Sequence, residues 1–181
     1  MEEMKKYILG DVCSRLSSGK GISSEEIFAS GPFPVIGGNG IRGYSLKSNF
    51  SGECGVIGRQ GAYCGNVRFF SGAAYMTEHA VVVVGNEKAD TRYLTYLLST
   101  MHLGNLSAQS AQPGLSVKTL AKQKIMLPSL AEQRRRSSIL AVLEDKIALN
   151  NRINHNLPVN WRKAVLCITL NISYLNNRFT A

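Results

Sequence analysis

The hydrophobic pattern changes its period along the chain, and the change predicts two kinds of structure. Up to about residue 128, short apolar runs alternate with segments rich in Gly, Asn and Ser, which predicts short strands joined by turns. The clearest strands are predicted at residues 54–58, 65–70, 80–84 and 125–127. Between the last two, Asp90 followed by apolar residues at helical spacing predicts a helix through Thr100.

The chain after residue 128 predicts one long helix. Pro128 ends the last strand, Ser129 suits the N-cap, and Glu132 three residues later completes a capping-box pattern. Neither Gly nor Pro then occurs before Pro158. At 1.5 Å per residue, such a helix is roughly 43 Å long. Apolar side chains from residue 139 onward cover about half of its circumference, which is wider than a two-stranded coiled coil requires.

Two interpretations of this helix stay open. It packs on its own domain, or it extends beyond the domain and pairs with the helix of another chain. In the second case two Asn side chains within the apolar arc would fix the register, as buried Asn does in coiled coils. The predicted helix-pairing interface consists of Leu140, Leu143, Ile147, Asn150 and Asn154.

These patterns together predict an α+β fold. A small globular domain of short strands and Gly-rich loops occupies residues 1–128, one long helix occupies 129–157, and a C-terminal tail occupies 158–181. The tail is rich in Ile, Leu, Asn and Tyr without a clear period. Within the domain, Ser23 and Glu26 form a second capping-box pattern and predict a short helix that ends near Gly31.

The charge balance is unusual for a chain of 181 residues. Lysine and arginine number 21 against 12 acids, which gives a net charge of +9 and a pI near 9.6. An excess of this kind favours an anionic partner, with nucleic acid as the first candidate. The alternative is a basic surface that only aids solubility. The apolar fraction of 44% is sufficient for a packed core.

Cysteine usage and the hydrophobic profile suggest a cytoplasmic protein. Cys13, Cys54, Cys64 and Cys167 form no C-x₂-C pair and have no His at metal-ligand spacing, so we expect reduced thiols and no metal site. The first residues lack the apolar segment of a signal peptide. No run approaches the roughly 20 apolar residues of a membrane-spanning helix.

Polar loops without acids are the best candidates for contact with nucleic acid. The loops at residues 58–66 and 107–114 carry Arg, Gln, Asn and Tyr, and Arg pairs with guanine as Gln or Asn pairs with adenine in the major groove. The alternative for both is a turn whose polar side chains face water. The predicted DNA-binding residues are Arg42, Lys47, Arg59, Gln60, Tyr63, Asn66, Gln109 and Gln112.

Motifs for catalysis or nucleotide binding are weak. Residues 38–43 match G-x-G-x-x-G, but no apolar-periodic helix follows and no acid occurs between Glu53 and Glu78, so a dinucleotide site is not expected. A Gly-rich turn that brings Arg42 close to a ligand fits better. The acids are scattered, and no nucleophile elbow, P-loop or H-E-x-x-H is present. The sequence therefore predicts a protein without catalytic residues.

Several segments are similar to one known family. They are Leu-Gly-Asp-Val at 9–12, Gly-Arg-Gln-Gly at 58–61, Gln-Pro-Gly-Leu-Ser-Val at 112–117, Ile-Met-Leu-Pro-Ser-Leu-Ala-Glu-Gln-Arg at 125–134, and Asp-Lys-Ile-Ala-Leu-Asn-Asn-Arg-Ile at 145–153. Through these segments, residues 1–157 resemble a half-length specificity (S) subunit of a type I restriction-modification enzyme. From Pro158 onward the similarity ends.

The resemblance implies a target recognition domain followed by a spacer helix. Members usually hold two such units, so two copies of this chain would pair through their helices as a homodimer and read a bipartite DNA target. The family's S subunits carry no catalysis and bind no cofactor; they dock methyltransferase subunits, which bind S-adenosylmethionine, and the restriction subunit joins that complex. The alternative is a truncated interaction protein that pairs through its helix without reading DNA.

Overall fold

The structure is a computed structural model that describes residues 3–107 and 114–156. It divides the chain into two compact units, Met1–Ser137 and Ser138–Ala181. We call the first unit the head. The predicted fold class is confirmed, because the head is a mixed sheet domain and one long helix follows it.

Two sheets share the core of the head. The strands in chain order are β1 (Lys5–Ile8), β2 (Cys13–Ser18), β3 (Phe33–Gly37), β4 (Gly40–Ser45), β5 (Phe50–Gly58), β6 (Val67–Met76), β7 (Ala80–Gly85) and β8 (Lys124–Leu127). Six of them form a sheet in the order β2-β7-β5-β6-β3-β4, while β1 pairs with β8. The pairs are antiparallel except for the parallel contact of β3 with β6.

The valine run of β7 explains why the sheet is covered on both faces. Val81 and Val83 belong to the apolar cluster that contains the helix α1 (Thr91–Thr100), whereas Val82 belongs to a second cluster on the opposite face. Alternate side chains of a strand point to opposite faces, so a continuous apolar run indicates burial on both. The carboxylate of Asp90 accepts a hydrogen bond from the Tyr93 N–H at 2.8 Å and begins α1 as predicted.

The short helix predicted to begin at Ser23 is wrong. The chain makes only a 3₁₀ turn at Ser24–Glu26, and Ser23 Oγ accepts from the Glu25 N–H at 3.1 Å. Ile27 is already extended, and the Phe28 N–H donates to the Tyr44 carbonyl at 2.8 Å. Pairing with β4 therefore takes the backbone groups that further helical turns would have used.

The strands are longer and more numerous than the sequence indicated. β2 and β4 were not expected, and β6 continues to Met76, beyond the predicted end at residue 70. The extension contains Gly72, which pairs with Gly52 on the neighbouring strand β5, and both glycines have φ above +120°. Gly suggests a turn when seen alone, but here each glycine lies opposite another within one ladder.

The long helix, α3, spans Leu130–Asn156 over 27 residues, close to the prediction. Its first turns belong to the head, where Gln133 is buried. The capping box is only half formed. Ser129 Oγ accepts from the Glu132 N–H at 3.4 Å, but the Glu132 carboxylate binds Arg135 and Arg136 instead of reaching back.

Candidate nucleic-acid interface

The β3–β4 turn, the β5–β6 connection and the β6–β7 turn meet around Arg59. The Arg59 N–H donates to the His79 carbonyl at 3.0 Å, which joins the β5–β6 connection to the β6–β7 turn. The Leu115 N–H donates to the Arg59 carbonyl at 2.8 Å, and the Arg59 guanidinium reaches Ser18 Oγ at 3.4 Å. The half-buried Arg59 is therefore held by three separate segments.

Glycines allow these segments to touch through their backbones. A Cβ on Gly38 would lie 2.9 Å from the His79 carbonyl oxygen and 3.2 Å from the Gly58 Cα. A Cβ on Gly58 would lie 2.6 Å from the Gly38 carbonyl oxygen. Since real Cβ atoms do not approach backbone so closely, the β3–β4 turn and the β5–β6 connection pack at this distance only with glycine at both positions. This explains the Gly-rich sequence at residues 37–40 without any dinucleotide site.

A cleft of about 430 Å³ opens beside this junction. One wall is the backbone of residues 37–41, and the polar side chains of Arg42, Gln60 and His79 line it as well. An arginine and a glutamine in one concave site supply a cation for guanine or phosphate and an amide for adenine. We call this site the reading cleft.

The structure brings some of the predicted DNA-binding residues together. Arg42 and Gln60 line the reading cleft, and Arg59, which precedes Gln60 in the chain, is held by the neighbouring segments. Tyr63, with 54% of its side chain exposed, and Asn66 lie on the same β5–β6 connection. The backbone of this connection is closed by hydrogen bonds from Gly58 N to Asn66 O and from Gly65 N to Gly58 O.

Lys47 is not brought to this site. It follows the far end of β4, and the strand from Gly40 to Ser45 is on the order of 17 Å long. Its ammonium forms an ion pair with Glu26, and this hydrogen bond raises the pKa of Lys47 and lowers the pKa of Glu26. Gln109 and Gln112 lie outside the described residues.

Two residues with polar side chains in the cleft were not among the predicted contacts. His79 and Asn39 line it from the β6–β7 and β3–β4 turns. Each occupies a turn beside a strand end, and the pairing of Gly58 with Ala80 brings the end of β5 level with the start of β7. The order of the strands in the sheet would have indicated these two residues, but that order could not be predicted from the sequence. Among the described residues, no group of three or more His, Cys, Asp or Glu side chains could hold a metal ion.

The predicted helix-pairing residues lie on α3 and are exposed. Leu140, Leu143 and Ile147 have 41–60% of their surface accessible. Their spacing with Asn150 and Asn154 alternates between three and four residues, the period of a coiled-coil seam. A second row of exposed apolar residues runs beside it, made of Ile139, Val142, Leu149 and Ile153.

The head, its reading cleft and the long helix define a class of protein. Residues 1–159 match the family model described as the type I restriction modification DNA specificity domain. The chain belongs to that family, which confirms the resemblance drawn from its sequence.

Individual relatives support the same conclusion. The specificity subunit of the type I restriction enzyme EcoprrI from Escherichia coli is 39% identical over 155 residues, which cover 83% of this chain and 38% of that protein. The S subunit of a type I restriction-modification system from M. genitalium has a similar structure, with a TM-score of 0.73 at 22% identity, covering 83% of this chain and 41% of that one. The HsdS subunit from Thermoanaerobacter tengcongensis gives 0.59 at 18% identity, covering 83% and 39%.

The chain thus spans only 38–41% of the length of these relatives. No helix among its described residues is long and apolar enough to cross a membrane.

Proposed function

We propose that this chain is a sequence-specific DNA recognition subunit of a type I restriction-modification complex. The observation that carries the proposal is the family match over residues 1–159 together with a cleft that gathers Arg42, Gln60 and His79 in a chain of net charge +9. The head reads one half of a bipartite target. The chain itself carries out no catalysis and binds no cofactor.

Within the reading cleft, the roles follow from side-chain chemistry. Gln60 is exposed, and its side-chain amide can pair with the edge of an adenine. The guanidinium of Arg42 can bind guanine or phosphate with two N–H donors. Arg59 is half-buried, so its backbone positions Gln60 and its guanidinium supplies positive potential behind it. Tyr63 and Asn66 extend the contact along the β5–β6 connection.

We propose further that two copies form a homodimer through α3. One exposed row on the helix has heptad spacing and ends in two Asn residues, which favours a defined register. A twofold dimer presents two reading clefts in inverted orientation and so selects a target with inverted half-sites.

The methyltransferase and restriction subunits are the remaining proposed partners. One similar structure, with a TM-score of 0.64 at 20% identity, covering 83% of this chain and 40% of that one, concerns complex assembly and conformational transition of a type I restriction-modification system. The second apolar row on α3 stays uncovered in a two-helix pair, and it offers a surface to such a partner. S-adenosylmethionine would bind on the methyltransferase subunits.

Fluorescence anisotropy tests the reading cleft. The target is first defined by the sites methylated in cells that express this chain with its methyltransferase, and the labelled duplex is compared with a scrambled one. We expect Arg59→Ala and Gln60→Ala to weaken binding to the target by about 1–3 kcal/mol each. Lys47→Ala, remote from the cleft, is the matched control and leaves affinity nearly unchanged. Unaltered affinity and sequence preference in both cleft variants would refute the assignment.

The alternative, an interaction protein that pairs without reading DNA, is not favoured by the family match. The two functions separate in the same assay. A protein that recognises a DNA sequence binds its target duplex more tightly than the scrambled duplex at every salt concentration. An interaction protein binds the two duplexes with the same weak affinity.

A further inference from the structure

The side chain of Arg68 is engaged with the β3–β4 turn. Arg68 lies on β6, and its Nη1 donates to the Asn39 carbonyl oxygen at 2.7 Å while Nη2 donates to Asn39 Oδ1 at 3.3 Å. Both acceptors belong to one residue, so the planar guanidinium fork holds that residue in two directions. An exposed arginine beside a DNA-binding cleft would ordinarily be read as a phosphate contact, but here two of its donors already have partners.

Gly40 makes this contact possible. Its φ is +115°, a conformation that residues with a side chain rarely adopt, and a Cβ there would lie 2.5 Å from Arg68 Nη1. The glycine therefore provides both the turn and the space for the guanidinium.

The turn that Arg68 holds is a wall of the reading cleft. The backbone of residues 37–41 lines the cleft on one side. The same backbone also lines an apolar pocket of about 400 Å³, together with Val56, Phe70 and Arg68. Strand β4 lies at the end of the sheet order, so only β3 flanks it within the sheet. The tip of this hairpin already packs by its backbone at Gly38, and the contact of Arg68 with Asn39 adds a side-chain restraint at the next residue.

We propose that Arg68 is a positioning residue for DNA reading. By holding Asn39, it fixes the β3–β4 turn against the β5–β6 connection and so sets the separation of Arg42 from Gln60 across the cleft. Side chains that contact bases have to be held within about 0.5 Å of their productive geometry, so a further restraint on the turn affects base selection. The proposal rests on the proposed function, since it concerns the selectivity of the same cleft.

Salt dependence distinguishes positioning from a direct phosphate contact. Loss of a phosphate contact lowers the slope of log K against log[salt] by about one and weakens all sequences equally. Loss of positioning leaves that slope unchanged and lowers the preference for the target over the scrambled duplex. We expect Arg68→Met to reduce this preference about tenfold or more, the discrimination that one bidentate base contact carries.

Three further variants sharpen the test in the full chain. Gly40→Ala strains the turn and crowds the guanidinium without changing charge, so it tests whether displacement of the turn alone lowers the preference, and we expect the same loss. Arg68→Lys keeps the charge and one donor, so it should retain an intermediate preference. Arg134→Met, which removes an exposed arginine on α3, is the matched control and leaves the preference intact. A slope reduced by one with preference unchanged, or no change in either quantity, overturns the proposal.

Hydrogen exchange of the free protein separates this proposal from the proposed function. In Arg68→Met, we expect faster amide exchange in peptides covering residues 37–42 and unchanged exchange in β7. If exchange in the turn does not change, Arg68 does not hold it, whatever the DNA result. If exchange rises as expected but wild-type protein fails to prefer any duplex, the proposed function fails while the contact between Arg68 and the turn stands.

Discussion

Gln133 fixes the first turns of α3 within the head. The residue is only 1% exposed, and its amide makes three hydrogen bonds: Oε1 accepts from the Asp90 N–H at 2.9 Å, and Nε2 donates to the carbonyls of Lys88 at 3.1 Å and Pro128 at 3.0 Å. One side chain thereby joins the start of α3, the end of β8 and the loop that begins α1. A glutamine is required because a carboxylate would lack the donor that these two carbonyls need.

Replacement of Gln133 should therefore be costly. In Gln133→Ala the Asp90 N–H and two carbonyls lose their partner in a buried site, which costs about 1–3 kcal/mol of unfolding free energy, or more if no water enters. Gln60→Ala is the matched control, since Gln60 is exposed and its loss should change stability by less than about 0.5 kcal/mol. Urea denaturation measures both. Equal stability of the two variants would show that the buried amide contributes nothing.

Glu132 beside it responds to pH. Its carboxylate accepts hydrogen bonds from Arg135 and Arg136 at 2.6 Å, and these lower the pKa of Glu132 to about 2 from its usual value of 4.5. A carboxyl whose pKa is lower in the folded state contributes stability above its unfolded pKa and loses it as pH falls towards the folded pKa. Between pH 5 and pH 2, the stability advantage of wild type over Glu132→Gln should therefore shrink. Glu87→Gln, at an exposed position, is the control, and a constant advantage over this range would contradict the assignment.

At the scale of the element, α3 presents far more apolar surface than a solvated helix would. From residue 139 onward, seven large apolar side chains are between 41% and 60% exposed. A run of apolar rows on an exposed helix indicates a surface that is covered in an assembly.

We expect a charged side chain within the predicted helix-pairing interface to abolish the pairing of two helices. Leu143→Asp or Ile147→Asp places a carboxylate in the helix interface and should convert a dimer to a monomer, because the buried charge has no partner there. Ala148→Asp, on the opposite side of the helix, is the matched control and should leave the dimer intact. Light scattering coupled to size exclusion gives the mass directly. A dimer that survives both seam substitutions would locate the interface elsewhere.

At the scale of the whole molecule, the proposed DNA-reading cleft and the proposed helix-pairing interface belong to different compact units. The reading cleft belongs to the head, and the seam begins in the unit that starts at Ser138. Substitutions in the cleft should therefore leave dimerisation intact, and substitutions in the helix should leave the cleft intact. The helix substitutions change DNA binding only through the number of heads that bind one target.

This separation leads to a prediction for DNA binding. Log K against log[salt] has a slope proportional to the number of phosphates contacted. If two heads bind one target, the slope for the monomeric Leu143→Asp protein should be about half of that for the wild-type dimer. Gln60→Ala, which changes base reading but no charge, should keep the full slope. An equal slope for monomer and dimer would mean that only one head contacts the DNA.

The candidate site was only partly predictable. Arg42, Arg59 and Gln60 could be proposed because their side chains suit DNA and their loops contain glycine. Lys47 met the same criteria but lies beyond the far end of β4, paired with Glu26. Asn39 and His79 were missed because nothing local distinguishes them from other turn residues. What places a side chain in the cleft is strand pairing between residues distant in the chain.

The amino-acid sequence by itself determined what depends on neighbours along the chain. The apolar run of β7, the Asp90 cap and the long helix without Gly or Pro are set by local periodicity and capping, and they were all readable. Only the tertiary structure decided what depends on distant partners. It ended the helix at Glu26, extended β6 past Gly72, and joined Arg68 to Asn39. In each case a backbone or side-chain group is satisfied by a strand or turn far away in sequence, and a local pattern carries no information about which one.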